Sequence, residues 1–272
     1  MATTSASRRH TKAWTAFEQN LESILHLSEM TQRELAAIKT ATTRYGTSVT
    51  RMINEAARLK TLAGNSPDLP ARPLDVAVTK LLRSTKGWTR TLQPRFERMG
   101  TARLWQVVML VTCVEAYLQD LLANAASVDA KFMAESQQVA PYADVISATS
   151  LDELASELRA RWARGWLKGG PTSWISRLKK MGARGYPDGL APRLELIWDV
   201  RHLVVHAAGI ATADFVKRHP GFTATVGDRV QVGSQAVGAY IQSAKDFMET
   251  TERYFVKRCP SLLDETVTER VK

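Results

Sequence analysis

Trp198-Asp199-Val200-Arg201-His202-Leu203-Val204-Val205-His206-Ala207-Ala208-Gly209 sets an arginine and two of the chain's five histidines into an otherwise apolar run. The apolar residues recur at helical spacing. Pro192 suits the first turn of that helix and Gly209 suits the position just past its end. Each residue of an ideal helix advances about 100°, so with Asp199 at zero, Glu195, His202 and His206 all fall within about 60° of it and form one polar stripe. The apolar residues between Leu194 and Ala208 fill the arc from about 40° to 260°. Arg201 lies inside that apolar arc, about 140° from His206. A guanidinium there needs a carboxylate partner or a route for its long stem to water. Glu115, isolated among Val111, Val114, Tyr117, Leu118 and Leu122, is the candidate carboxylate.

Three chemistries fit the polar stripe. It can be the solvated face of an amphipathic helix. It can be a metal site, since Asp199, His202 and His206 at i, i+3 and i+7 could reach one ion, with Glu195 nearby. It can also serve phosphodiester cleavage, in which an imidazole moves protons near neutral pH and an arginine stabilises charge building on phosphorus. One histidine does not readily serve as both base and acid in a turnover. Two copies of Arg201 and His206 meeting across a symmetric dimer cleft, or His202 as the second proton group, would complete that chemistry.

Outward from this helix the chain reads as helical nearly throughout. Trp14, Phe17, Leu21, Ile24, Leu25, Leu35, Ile38, Val49, Ile53 and Leu59 recur at helical spacing and predict two or three helices between Thr11 and about Ala63. Gly64-Asn65-Ser66-Pro67-Asp68-Leu69-Pro70-Ala71-Arg72-Pro73 is turn chemistry, so an N-terminal helical module over residues 1–66 and a second domain over 74–260 are expected. In the second, helices are expected from Leu74 to Leu92 before Pro94, from Thr101 to Asn124, and from Leu151 to Lys168 with a capping box of Ser150 and Glu153. A short basic helix follows Gly169-Gly170-Pro171 and ends near Gly182. Phe222 to Val232 alternates around Gly227-Asp228, which fits a small β-hairpin, and Ser234 caps a closing helix to about Lys257.

Composition narrows the partners. The formal charge is +10; nine of the Lys and Arg residues lie between Ser156 and Arg193 against only Glu157 and Asp188, which suits a polyphosphate partner. Arg177, Lys179, Lys180 and Arg184 are the RNA-contacting candidates. Trp162 and Trp166, at i and i+4, read as core packing rather than as stacking platforms for bases. Cys113 and Cys259 show no metal-type spacing, which points to a reducing compartment. Residues 1–10 carry no hydrophobic stretch of the secretory kind and read as a disordered lead-in. The apolar run from Leu104 is interrupted too often to span a bilayer, so no membrane association and a cytoplasmic location are expected.

Arg201 followed after four residues by His206 resembles the R-x4-6-H signature of the HEPN superfamily. The likeness extends to Val114-Glu115-Ala116-Tyr117-Leu118, the basic Trp174 to Lys180 segment, Val205-His206-Ala207-Ala208-Gly209, and Val226-Gly227-Asp228 before a final helix. Together these are similar to HEPN proteins of the RiboL-PSP type over about residues 74–258. The resemblance implies an all-α bundle and a metal-independent endoribonuclease that leaves 2′,3′-cyclic phosphate and 5′-hydroxyl ends. It implies no cofactor, RNA as partner, a homodimer with the site at its interface, and a toxin or antiphage role under control of an antitoxin or other regulatory protein. Arg201 and His206 map onto the catalytic pair, with His202 and Glu115 beside them. His202 stands where asparagine is frequent in the family, as does Ala207, and Ala208 occupies the place of a tyrosine that partners modify in some toxins. A non-catalytic RNA-binding or assembly module of the same family is the alternative, and a helical metalloprotein using Asp199, His202 and His206 is the third reading.

Overall fold

A computed structural model describes residues 10–65, 72–133 and 141–263. Among these residues the chain is all-α, without a β-strand. The helices are α1 (Lys12–Asn65), α2 (Arg72–Val128), α3 (Tyr142–Ser147), α4 (Leu151–Trp166), α5 (Gly170–Met181), α6 (Leu190–His206), α7 (Ala213–Arg218) and α8 (Ser234–Arg258), with 3-10 turns at Ala130–Met133 and Pro260–Leu262. The expected turn at 66–71, the lead-in 1–9 and the side chains of Val49, Ile53 and Leu59 lie outside the described residues.

Two helices are longer than the sequence predicts. α1 is a single helix of 54 residues where two or three were expected. Its interior holds no proline, and a lone glycine such as Gly46 costs only about 1 kcal/mol, too little to stop it. α2 likewise passes through Pro94, where a break was expected. Proline removes one backbone bond at roughly 3 kcal/mol, and the 57-residue helix continues into a strongly apolar segment whose burial outweighs that loss. Part of this segment, Glu97–Val128, is long and apolar enough to cross a membrane by length and composition; half of its most apolar window is buried inside the protein.

Contacts group the chain into two compact units, residues 27–103 and residues 1–26 with 104–272. In the smaller unit Ile38 and Met99 are buried with Leu35 and Ala41 against them, and Arg95 Nε donates to Glu34 Oε1 at 2.7 Å.

The larger unit carries the main core. The start of α1 buries Trp14, Phe17, Leu21 and Ile24, one side of α2 buries Leu104, Val107, Val111, Val114, Leu118 and Leu122, and α6 contributes Leu194, Ile197, Val200 and Leu203. α6 packs on both α5 and α8. Each of these larger side chains contributes about 2 kcal/mol on burial. Trp162 is buried and Trp166 packs against the core, as their spacing predicts.

Helix ends follow the local chemistry. Ser150 Oγ accepts from Glu153 N at 3.1 Å, and the Glu153 carboxylate reaches back to Thr149 N at 2.7 Å and Thr149 Oγ1 at 2.6 Å. Gly182, with φ 108°, ends α5. The expected hairpin over 222–232 does not form. Its backbone pairs instead with the segment leaving α6: Ala211 N donates to Asp228 O and Val230 N to Gly209 O, each at 2.8 Å. Ile210 and Arg229 form an isolated antiparallel bridge. The alternation is real, but its partner is distant in sequence.

Glu252 of α8 is 4 % exposed, yet accepts three bonds: Thr11 N at 2.6 Å, Thr11 Oγ1 at 3.1 Å and Tyr117 Oη at 2.8 Å. Burial, together with this carboxylate, holds the Tyr117 hydroxyl well above its usual pKa. Replacing Glu252 by alanine strands these donors. Glu252→Ala is expected to lower unfolding free energy by roughly 3 kcal/mol in urea titrations; a loss under 1 kcal/mol would refute the importance of this contact.

Candidate functional site

α6 divides its polar groups between two sides. On one, Glu195 and Asp199 already have partners. Glu195 Oε1 accepts the Thr172 N–H at 2.8 Å, a carboxylate placed at the positive N-terminus of α5. Gly170, with φ 76°, lets it approach: a Cβ there would lie 3.3 Å from Glu195 Oε1. Asp199 Oδ2 is bonded to His219 Nε2 at 2.6 Å and to Arg218 Nη1. His219 packs its ring 5.0 Å from that of Phe215, a buried residue of α7.

Further along the same stripe, His202 and His206 are exposed, with ring centroids 4.6 Å apart and planes tilted by 45°. Two imidazoles at this distance reach one substrate together. They do not converge with Asp199 on a common ion: among the described residues no three His, Cys, Asp or Glu side chains are placed to hold a metal.

Arg201 faces the other way. Its Nε is buried without a hydrogen-bond partner, while the residue as a whole is half-exposed. The expected ion pair with Glu115 is absent. Glu115 Oε1 instead accepts the Trp198 Nε1 proton at 3.0 Å. The Trp198 indole, not the Arg201 guanidinium, is the group bonded to this carboxylate. Among the described residues no other carboxylate pairs with Arg201 either, since Asp199 and Glu195 lie around the helix and are engaged. The result is a half-buried cation open to an external anion.

The helix ends just past His206 in a tight C-terminal turn. Gly209 N and Ala207 N both donate to Leu203 O, at 2.8 and 2.9 Å. The residue just past the cap is Ala208, left-handed with φ 51°, where Gly209 was expected. Gly209 is itself left-handed, and a Cβ on it would lie 3.5 Å from Arg229 Nε and 3.6 Å from Leu104 Cδ1. Arg229 is thereby held beside the turn that follows His206.

The basic segment splits into two kinds of residue. Arg177 Nη1 donates to Trp166 O, and its guanidinium lies 5.6 Å over the Trp166 ring. Arg184 Nη1 donates to Lys179 O at 2.7 Å and to Ala183 O at 3.1 Å. These two arginines, expected as RNA contacts, cap the C-termini of α4 and α5, where cations neutralise exposed carbonyls. Lys179 and Lys180 are exposed.

Several site residues were not anticipated. His219 reaches α6 only because α7 folds back, and no local pattern marks it. Trp105 and Met109, 54 % and 38 % exposed, form an apolar surface on α2, with Val205 and Ile210 exposed on and just beyond α6. A helical projection of α2 would have found Trp105, which falls about 100° from Leu104 and in phase with exposed Thr112 and Ala116. No family model, no curated protein and no solved structure matches the chain.

Two outcomes follow from this geometry. Ala208→Gly removes left-handed strain and is expected to stabilise the protein by roughly 0.5–1 kcal/mol in urea titrations, with destabilisation as the contrary result. Asp199→Asn weakens the tie to Arg218 and His219, so amide exchange over residues 213–219 should quicken while that of α8 stays unchanged.

Proposed function

We propose that this chain is a metal-independent endoribonuclease of the HEPN kind. The observation that carries the reading is Arg201: a half-buried arginine with no carboxylate partner among the described residues, on a helix whose last turns expose two neighbouring imidazoles. Such a cation favours a phosphodiester and the extra charge that builds on it during in-line attack.

In the reaction, an imidazole takes the proton of a ribose 2′-hydroxyl as its oxygen attacks the adjacent phosphorus. The P–O5′ bond breaks, a second imidazole delivers a proton to O5′, and the products are a 2′,3′-cyclic phosphate and a 5′-hydroxyl. His206 and His202 supply the two proton carriers, and Arg201 stabilises the phosphorane. Arg201 and His206 leave α6 in different directions. A second copy of the chain, seated on the apolar surface of Trp105, Met109, Val205 and Ile210, would bring the Arg201 of one subunit to the His206 of the other.

The test is cleavage of single-stranded RNA by the purified full chain in EDTA. Cleavage is expected to persist with chelator and to fall roughly 10²–10⁴-fold in Arg201→Ala and in His206→Ala. Salt-sensitive binding without cleavage would replace the nuclease by a silent RNA-binding module. Loss of activity in EDTA, restored by a divalent metal, would overturn the metal-independent mechanism.

A further inference from the structure

A groove of about 440 Å³ runs between α2 and the end of α4, lined by Thr112, Glu115, Ala116, Gln119, Arg164, Leu167 and Lys168. It is shallow and open to solvent along most of its length. One of its lining residues, Glu115, is tied to α6 by the bond from Trp198, which lies three residues before Arg201 in the sequence.

Its chemistry is divided. Glu115 uses one oxygen on Trp198 Nε1, which holds the carboxylate in place, and its Oε2 takes no hydrogen bond among the described residues. Gln119 is one turn further along the same face of α2. At the α4 end, Lys168 is exposed and has no ion pair among the described residues, while Arg164 is half-exposed and meets Glu157 at 2.9 Å. Acceptors thus lie on one wall and cations on the other, with Leu167 and Ala116 between them. A single nucleotide has the matching arrangement, with a flat base carrying hydrogen-bond donors and a phosphate beside it.

We infer that this groove is a guanine-selective nucleotide subsite, in which Glu115 reads the base and Lys168, with Arg164, holds the neighbouring phosphate. Guanine presents N1–H and N2–H side by side, two parallel donors that one carboxylate accepts together, and its O6 takes a donor from the Gln119 amide. Adenine offers no N1–H, and cytosine sets an acceptor beside its amino group, so both leave the buried side of Glu115 unpaired. A well-placed bidentate contact of this kind discriminates by about 1–3 kcal/mol, or roughly 5- to 150-fold. Glu115 is thus a specificity residue rather than a proton carrier. Where the chain cuts RNA, a consequence that rests on the nuclease reading, cleavage falls beside guanosine.

The experiment uses the full chain with His206→Ala, so that RNA stays intact, and fluorescent five-nucleotide RNAs carrying one guanosine, inosine, adenosine or cytidine in uridine. Guanosine should bind 5- to 150-fold tighter than adenosine or cytidine, with inosine, which lacks N2–H, between them. Glu115→Gln should erase the preference, and Lys168→Ala, at an exposed position, should weaken all four RNAs alike. Equal binding of the four, or a preference that survives Glu115→Gln in protein with an unchanged unfolding curve, overturns the subsite. Should Glu115→Gln fail to fold, Gln119→Leu serves in its place, and full retention of the guanosine preference refutes the proposal. Cleavage is then measured separately with His206 restored. Guanosine-selective binding without cleavage sinks the nuclease and keeps the subsite, whereas cleavage indifferent to guanosine keeps the nuclease and sinks the subsite.

Discussion

The larger unit is organised around a carboxylate removed from water. Glu252 of α8 takes the first amide and hydroxyl ahead of α1 and the phenol of Tyr117 on α2, so three helices distant in sequence share one acceptor. Such a group is costly to bury unless its lone pairs are filled, and the cost fixes the register: a shift of any of the three helices would strand a donor or the charge itself. Trp14 and Phe17 pack on Tyr117 beside it, at centroid separations of 6.2 and 6.1 Å. With α2 held on that side, its opposite flank is free to receive α6.

That arrangement decides how α6 distributes its chemistry. Two of its carboxylates serve structure, Glu195 at the head of α5 and Asp199 on α7, and so lock the helix against its neighbours. Trp198 takes one oxygen of Glu115, and among the described residues Arg201 has no carboxylate partner. The imidazoles of His202 and His206 remain on the solvent side. Rigid support on one side of a helix and unpaired groups near its end is what an anion-binding centre requires.

Much of this fold was legible in the chain. Helical periodicity located α4, α5, α6 and α8, and the ends of α4 and α5 were legible because their signals are local: Ser150 with Glu153, Gly169 with Pro171, and Gly182; in α8 the expected cap Ser234 is instead the first helical residue, after Gly233. The misjudged places are those where a local signal met a longer-range gain. Pro94 reads as a break but sits in a helix sustained by the core beyond it, and the alternation at 222–232 reads as a hairpin but finds its bridge at Ile210. At the site, the angular separation of Arg201 from the histidine stripe was readable from 100° steps alone. The identity of Glu115's partner was not, since Trp198 and Arg201 lie on the same flank and only the packed register separates them.

What the sequence by itself determined is the all-α class, the polar stripe of α6 and the placement of an arginine among apolar residues, because each depends on spacing within one helix. Tertiary structure alone decided which charges are satisfied. Asp199 gained His219 from a segment twenty residues on, Arg177 and Arg184 met helix-end carbonyls, and Arg201 was left without a carboxylate among the described residues. The reason is physical: a hydrogen bond at 2.6–3.0 Å depends on the register of whole helices, and that register is set by the burial of the core and of Glu252.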